Sequence, residues 1–121
     1  DVHALQAAAG PQLDVITFDL EAGIAPPFAG RRFAGVVVTN YLHRPLLPAL
    51  VDALAPNGVL IYETFAIGNE RFGKPSNPDF LLADNELLER TTPALAVVAY
   101  EHKYVETPRP ALVQRVACVR R

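Results

Sequence analysis

The sequence predicts an α/β fold whose sheet is mostly parallel and closes on a C-terminal antiparallel hairpin. Three observations carry this expectation. Nearly continuous apolar runs at residues 33–39 and 59–65 flank a stretch with helical spacing. That is the pattern of parallel strands joined by a crossover helix and covered on both faces. Two later segments that read as strands, residues 95–106 and 111–119, are separated only by Thr107-Pro108-Arg109-Pro110. So short a connection permits only an antiparallel pair. The composition is globular, half hydrophobic and one-fifth charged, and 121 residues suit a single domain over 1–121.

Taken in order, residues 2–9 are rich in alanine and leucine and stop at Gly10-Pro11, which reads as the tail of a helix. Residues 13–20 (LDVITFDL) read as a strand with Asp19 near its end. A linker with Pro26-Pro27 and Gly30 leads to the next strand, FAGVVVT, which breaks at Thr39-Asn40 and passes through Tyr41-Leu42-His43. Pro45 stands near the first position of the following helix, where its missing N–H costs nothing. Leu47, Leu50, Val51 and Leu54 then fall at i, i+3, i+4 and i+7 and define one apolar face. Pro56-Asn57-Gly58 is expected to end that helix before a third strand at residues 59–65. Residues 66–83 form a polar stretch with two glycines and two prolines, the mark of a lid, a binding loop or disorder. Asp84 is placed to cap a short helix running to Arg90. Val36, Val37, Val38, Leu47, Leu50, Leu54, Leu60 and Ile61 are the expected core.

Charge and cysteine content narrow the partners. The formal net charge is −2, and no basic stripe joins Arg31-Arg32 to Arg120-Arg121, so these read as a solvated loop and tail. Nucleic acid and membrane are therefore not expected partners. The single cysteine, Cys118, leaves no internal disulfide and no thiolate zinc cluster. It reads as a small buried hydrophobe and suits a reducing cytoplasm. His3, His43 and His102 are too scattered for a metal motif, and no metal is expected. No apolar run approaches the roughly 20 residues that span a bilayer. No signal peptide precedes Asp1, which is not methionine, so the sequence is expected to begin inside a longer gene product.

The order of elements resembles the second half of a class I S-adenosylmethionine-dependent methyltransferase, nearest to small bacterial enzymes of the tellurite and thiopurine type. Asp19-Leu20-Glu21 is similar to the acidic motif after that family's third strand. Residues 33–65 resemble its fourth strand, the following helix and its fifth strand, including an L-x-P-x-G-x-L turn at residues 54–60. The closing hairpin resembles the family's departure from a nicotinamide-binding sheet. The resemblance implies an N-terminally truncated Rossmann-like methyltransferase sheet, with S-adenosylmethionine as cofactor and a small or soft nucleophile as methyl acceptor. The family's glycine-rich loop is missing, and no G-x-G occurs anywhere in the sequence. This piece alone is thus expected to be inactive, with half a cofactor site.

The resemblance assigns Asp19 and the Leu20 backbone to adenine, Asn40 and Tyr41 to the neighbourhood of the sulfonium methyl, and Asp1 to the ribose hydroxyls. Read without it, Asp19 is a solvated strand-end carboxylate, and Asn40-Tyr41 a polar turn before a helix. At the carboxyl end of a parallel strand either residue lies where α/β proteins bind ligands. His43 and Glu63 are candidates for an acceptor pocket. The plainer reading of His43 is an imidazole packed at the helix start, and of Glu63 a carboxylate bonded to loop backbone. Glu70, Arg71 and Lys74 could also meet an acceptor, though a solvated loop is the simpler reading. No catalytic residue is assigned, because methyl transfer to a soft acceptor depends on positioning and needs no base. Two rival functions stand beside this: a non-catalytic Rossmann-like assembly module that pairs through an exposed sheet edge, and half of a nicotinamide enzyme. The exposed edge leads to an expectation of self-association.

Overall fold

The structure, a computed structural model, describes residue 7, residues 13–23 and residues 25–121. Asp1 and, apart from Ala7, the helix expected over residues 2–9 lie outside the described residues. Strand β1 (Phe33–Thr39) leads through a 3-10 turn (Arg44–Leu46) into helix α1 (Leu47–Asp52). Strand β2 (Leu54–Phe65) follows, then a long loop, helix α2 (Glu86–Thr91) and the hairpin of β3 (Ala96–Val105) and β4 (Ala111–Val119). The four strands run in the order β1-β2-β4-β3. β1 and β2 are parallel, while β4 runs antiparallel to both β2 and β3.

The period of two along each strand sorts side chains onto two unequal faces. On one face Leu60, Tyr62, Val116 and Cys118 are buried and form one core with Leu47 and Leu50 of α1 and Leu87 of α2. Val36 and Val38 pack at its margin. On the other face Val37 is 68% exposed and Ile61 46% exposed. The expectation of a sheet covered on both sides is overturned, because both helices pack on the same face and the described residues leave Val37 and Ile61 of the other exposed.

Three local expectations are also corrected. Residues 13–20 do not form a strand: Leu13 makes an isolated bridge, and the segment then runs as irregular chain into a turn at Leu20. Helix α1 ends at Asp52, before Pro56-Asn57-Gly58, and β2 already begins at Leu54. There Asn57, in the left-handed region at φ 65°, bends the strand, so that pairing with β1 jumps from Phe33↔Leu54 to Gly35↔Val59. Gly58 is required at this bend, since a Cβ would lie 2.7 Å from the Ala55 carbonyl oxygen and 2.9 Å from that of Phe33. Asp84 does not cap α2. Asn85, left-handed at φ 63°, holds the N-cap position, while the Glu86 carboxylate accepts the Ala83 N–H and Gln114 of β4 accepts the Leu87 N–H. Gln114 thereby satisfies one of the donors that a helix start leaves unpaired, and Glu86 ties the preceding turn to the helix.

The basic tail is not simply solvated. Arg120 donates to the carbonyls of Val51 and Leu54, tying the last strand to the end of α1. Cys118 is buried, as expected of a small hydrophobe, and its surroundings raise the pKa of the thiol by desolvation. No helix among the described residues is long and apolar enough to cross a membrane.

Candidate functional site at the carboxyl edge of the parallel strands

Parallel strands end together, so the chain segments leaving β1 and β2 meet at one edge of the sheet. Asn40 takes the left-handed conformation at φ 56° and donates its N–H to the Glu63 carbonyl. Asparagine tolerates that conformation better than other non-glycine residues, which is why the strand breaks at this point. The break turns Tyr41 towards the segment at residues 19–21. There the Asp19 carboxylate accepts the Glu21 N–H at 3.0 Å, and the Asp19 carbonyl accepts the Ala22 N–H. Asp19 thereby shapes the turn that presents Glu21.

The Tyr41 hydroxyl donates to Glu21 Oε2 at 3.0 Å, and His43 Nδ1 lies 3.8 Å from Glu21 Oε1. Desolvation first, then the hydrogen bond and negative charge of Glu21, push the Tyr41 hydroxyl up to about 12. It remains a donor at neutral pH. Beneath it the buried Tyr62 hydroxyl donates to the Tyr41 carbonyl, fixing the backbone of the break to β2. A cavity of about 220 Å³ opens here between Glu21, Asn40, Tyr41, Thr64, Phe65 and Phe80.

The loop at residues 66–83 is a folded lid over this edge. Its neck closes where Ile67 donates to the Leu82 carbonyl and Leu82 to that of Phe65. Buried Asn69 donates to the Pro75 carbonyl and accepts the Leu112 N–H, so one amide pins the loop to β4. The main strap is Arg44, the residue after His43. Its guanidinium grips Glu86 with two hydrogen bonds of 2.6 and 2.9 Å and donates to the carbonyls of Asp79 and Leu81. Arg90 bonds the same carboxylate at 2.6 Å. The bonds from Arg44, aided by those from Ala83 and Arg90, outweigh burial and hold the Glu86 carboxyl at about 2.

Of the residues singled out from the sequence, Asp19, Leu20, Asn40, Tyr41 and His43 come together at this edge, Leu20 packing against the margin of the core. Glu63 is at the same height but its side chain points to the bare face. There it meets Arg115 at 3.2 Å and lines a separate cavity with Ile61 and Ala117. Among the described residues no cluster of three or more metal-ligating side chains forms. Sequence reading missed Glu21 as the partner of Tyr41, and Arg44, Asn69 and Glu86 as the fastening of the lid. Twenty residues separate Glu21 from Tyr41, and no local spacing encodes such a contact.

No family model matches the chain, and no curated protein does. Solved structures do. TehB from Haemophilus influenzae superposes with a TM-score of 0.60 at 14% identity, over 75% of this chain and 36% of that one. The N-methyltransferase NodS from Bradyrhizobium japonicum WM9 gives 0.57 at 17% identity, over 74% and 52%. A structure of the conversion of a disulfide bond into a thioacetal group during echinomycin biosynthesis gives 0.52 at 12%, over 74% and 50%. The chain thus spans between about a third and a half of the length of the structures it matches. With its two parallel strands and antiparallel hairpin in one sheet, it shares the Rossmann-like fold of these structures over the part it covers.

Proposed function

We propose that this chain is the C-terminal part of an S-adenosylmethionine-dependent methyltransferase acting on a small or soft nucleophile in the cytoplasm. The observation that carries the reading is the meeting of the Asp19 turn with the Asn40-Tyr41 break at the carboxyl edge of this fold. S-adenosylmethionine supplies an electrophilic methyl group on a sulfonium. The residues present fit its adenosyl and sulfonium parts. Asp19 has a second carboxylate oxygen to accept from an adenine amino group, and Leu20 offers backbone beside it. The Tyr41 ring and the Asn40 backbone are groups that stabilise a cation. His43 stands beside the acceptor cavity, and Asp1 keeps its proposed role towards the ribose. Glu63 would serve through the carbonyl that holds Asn40, its carboxylate being turned to Arg115. Catalysis would rest on placing the acceptor, which the strapped lid does by closing one wall of the cavity.

The test is calorimetry with S-adenosylmethionine on this chain and on protein extended upstream of Asp1. The chain has no glycine-rich turn for the charged methionine end, where each charge-assisted hydrogen bond contributes roughly 1.5–3 kcal/mol. It is expected to show no measurable binding. The extended protein is expected to bind and to lose affinity on Asp19→Ala. Tight binding by the 121-residue chain would refute the motif assignment. Indifference of the extended protein would favour the assembly module, a reading supported by the exposure of Val37 and Ile61 on the bare face.

A further inference from the structure

We propose that the cavity at the ends of β1 and β2 receives a small organic cation, an amine whose nitrogen is the methyl acceptor. This rests on the methyl-transfer reading of the same edge and names the substrate class for it. The cavity holds about 220 Å³, room for a ring or a short chain, and is walled by Tyr41, Leu42, Phe65 and Phe80. Among the described residues Glu21 is the only charged side chain in its lining. Aromatic faces attract a cation, and a carboxylate pairs with an ammonium through charge-assisted hydrogen bonds. An anion would be repelled by the Glu21 charge, and a neutral guest would gain nothing from it.

Glu21 is presented for such a contact. Its backbone is held by Asp19 and its Oε2 by the Tyr41 hydroxyl, while Oε1 faces His43 at 3.8 Å, beyond hydrogen-bond reach. The guanidinium that follows His43 in sequence does not compete for it. Arg44 is turned to the lid, with its donors on Glu86 and on the Asp79 and Leu81 carbonyls. An ammonium has no lone pair and must first release a proton, which Glu21 or His43 can pass to water. The freed nitrogen pair then forms the bond to carbon, while the carbon–sulfur bond breaks and its electrons stay on sulfur.

The test needs no methyl donor and uses three probes of one ring and different charge: benzylamine, benzyl alcohol and benzoate. Titrated into this chain at low ionic strength, benzylamine is expected to bind at least ten-fold tighter than benzyl alcohol, with benzoate weakest. Glu21→Gln is expected to bring the amine and the alcohol within about two-fold. Should that variant lose its circular dichroism signature, the native chain at 1 M salt serves instead, and the preference is expected to shrink there by screening. Equal binding of amine and alcohol, tighter binding of benzoate, no binding of any probe, or a preference that survives Glu21→Gln would each overturn the proposal. Amine selectivity in a protein whose extended form ignores S-adenosylmethionine would keep the cation site and remove its role in methyl transfer.

Discussion

The two faces of this sheet differ sharply, although the same strands make both. Leu60 and Ile61 are adjacent, yet Leu60 is fully buried and Ile61 is 46% exposed. The buried face gathers both helices, Leu82 of the lid and the main core cluster. The bare face carries valine, isoleucine and alanine beside a cross-strand row of Glu63, Arg115 and Glu101. An apolar run in sequence therefore marks a strand without saying how many of its faces are covered. That depends on where the connecting helices land.

A large effect is expected where the covered face is fastened. Arg44→Ala leaves the Glu86 carboxylate, with 11% of its side chain exposed, short of its bidentate partner. Arg90 still pairs with this carboxylate, so the cost is that of the four hydrogen bonds Arg44 makes, reduced by its partial exposure to about 2–4 kcal/mol. Urea unfolding should register a loss in that range, and Arg44→Lys should recover only part of it, because an ammonium cannot form the fork. The same pair gives a pH signature. Glu86 is depressed to about 2 from an ordinary 4.5, so its contribution is complete above pH 4.5 and is lost as pH falls towards 2. In Arg44→Ala the acid transition should move to higher pH. An unchanged acid limb would show that other carboxylates govern it.

Next comes the direct comparison of neighbours. Leu60→Ala is expected to destabilise by about 2–5 kcal/mol, as for a core leucine. Ile61→Ala should cost about 0.5 kcal/mol or less if its face is open to water. Light scattering sharpens this: the bare face and the β1 edge predict self-association, and Ile61→Lys should reduce it. A dilute monomer that loses several kcal/mol on Ile61→Ala would mean that another part of the same chain covers this face.

Much of the framework was legible in the sequence, for identifiable reasons. Ala111–Val119, apolar apart from Gln114 and Arg115, lies between a proline-rich turn and a basic tail, and it forms one strand over that span. The i, i+3 spacing of Leu47 and Leu50 found the buried face of α1, because that face packs on the nearest strand. Residues 13–20 have strand composition but no ladder, since a strand exists only through its partner, which composition does not reveal. The candidate site was legible at Asn40-Tyr41, where a polar break follows β-branched residues. Glu21, Asn69, Arg44 and Glu86 were not, because their roles come from contacts across 20, 43 and 42 positions of chain.

The smallest effect concerns the charged row on the bare face. Arg115 lies opposite Glu63 on one side and Glu101 on the other, at 3.2 and 3.3 Å. With about a third or more of each side chain exposed, solvent screens these pairs. A double-mutant cycle of Glu63→Gln and Arg115→Gln should therefore give a coupling of roughly 0.2–1 kcal/mol that fades with salt. The value reports on cover as well as on the pair. If this face is packed against another surface, the row is desolvated and its coupling should rise well above 1 kcal/mol and resist salt. Measured on this chain at low and high concentration, and on upstream-extended protein, the cycle reports whether the face is open, shared between copies, or covered by more of the same polypeptide.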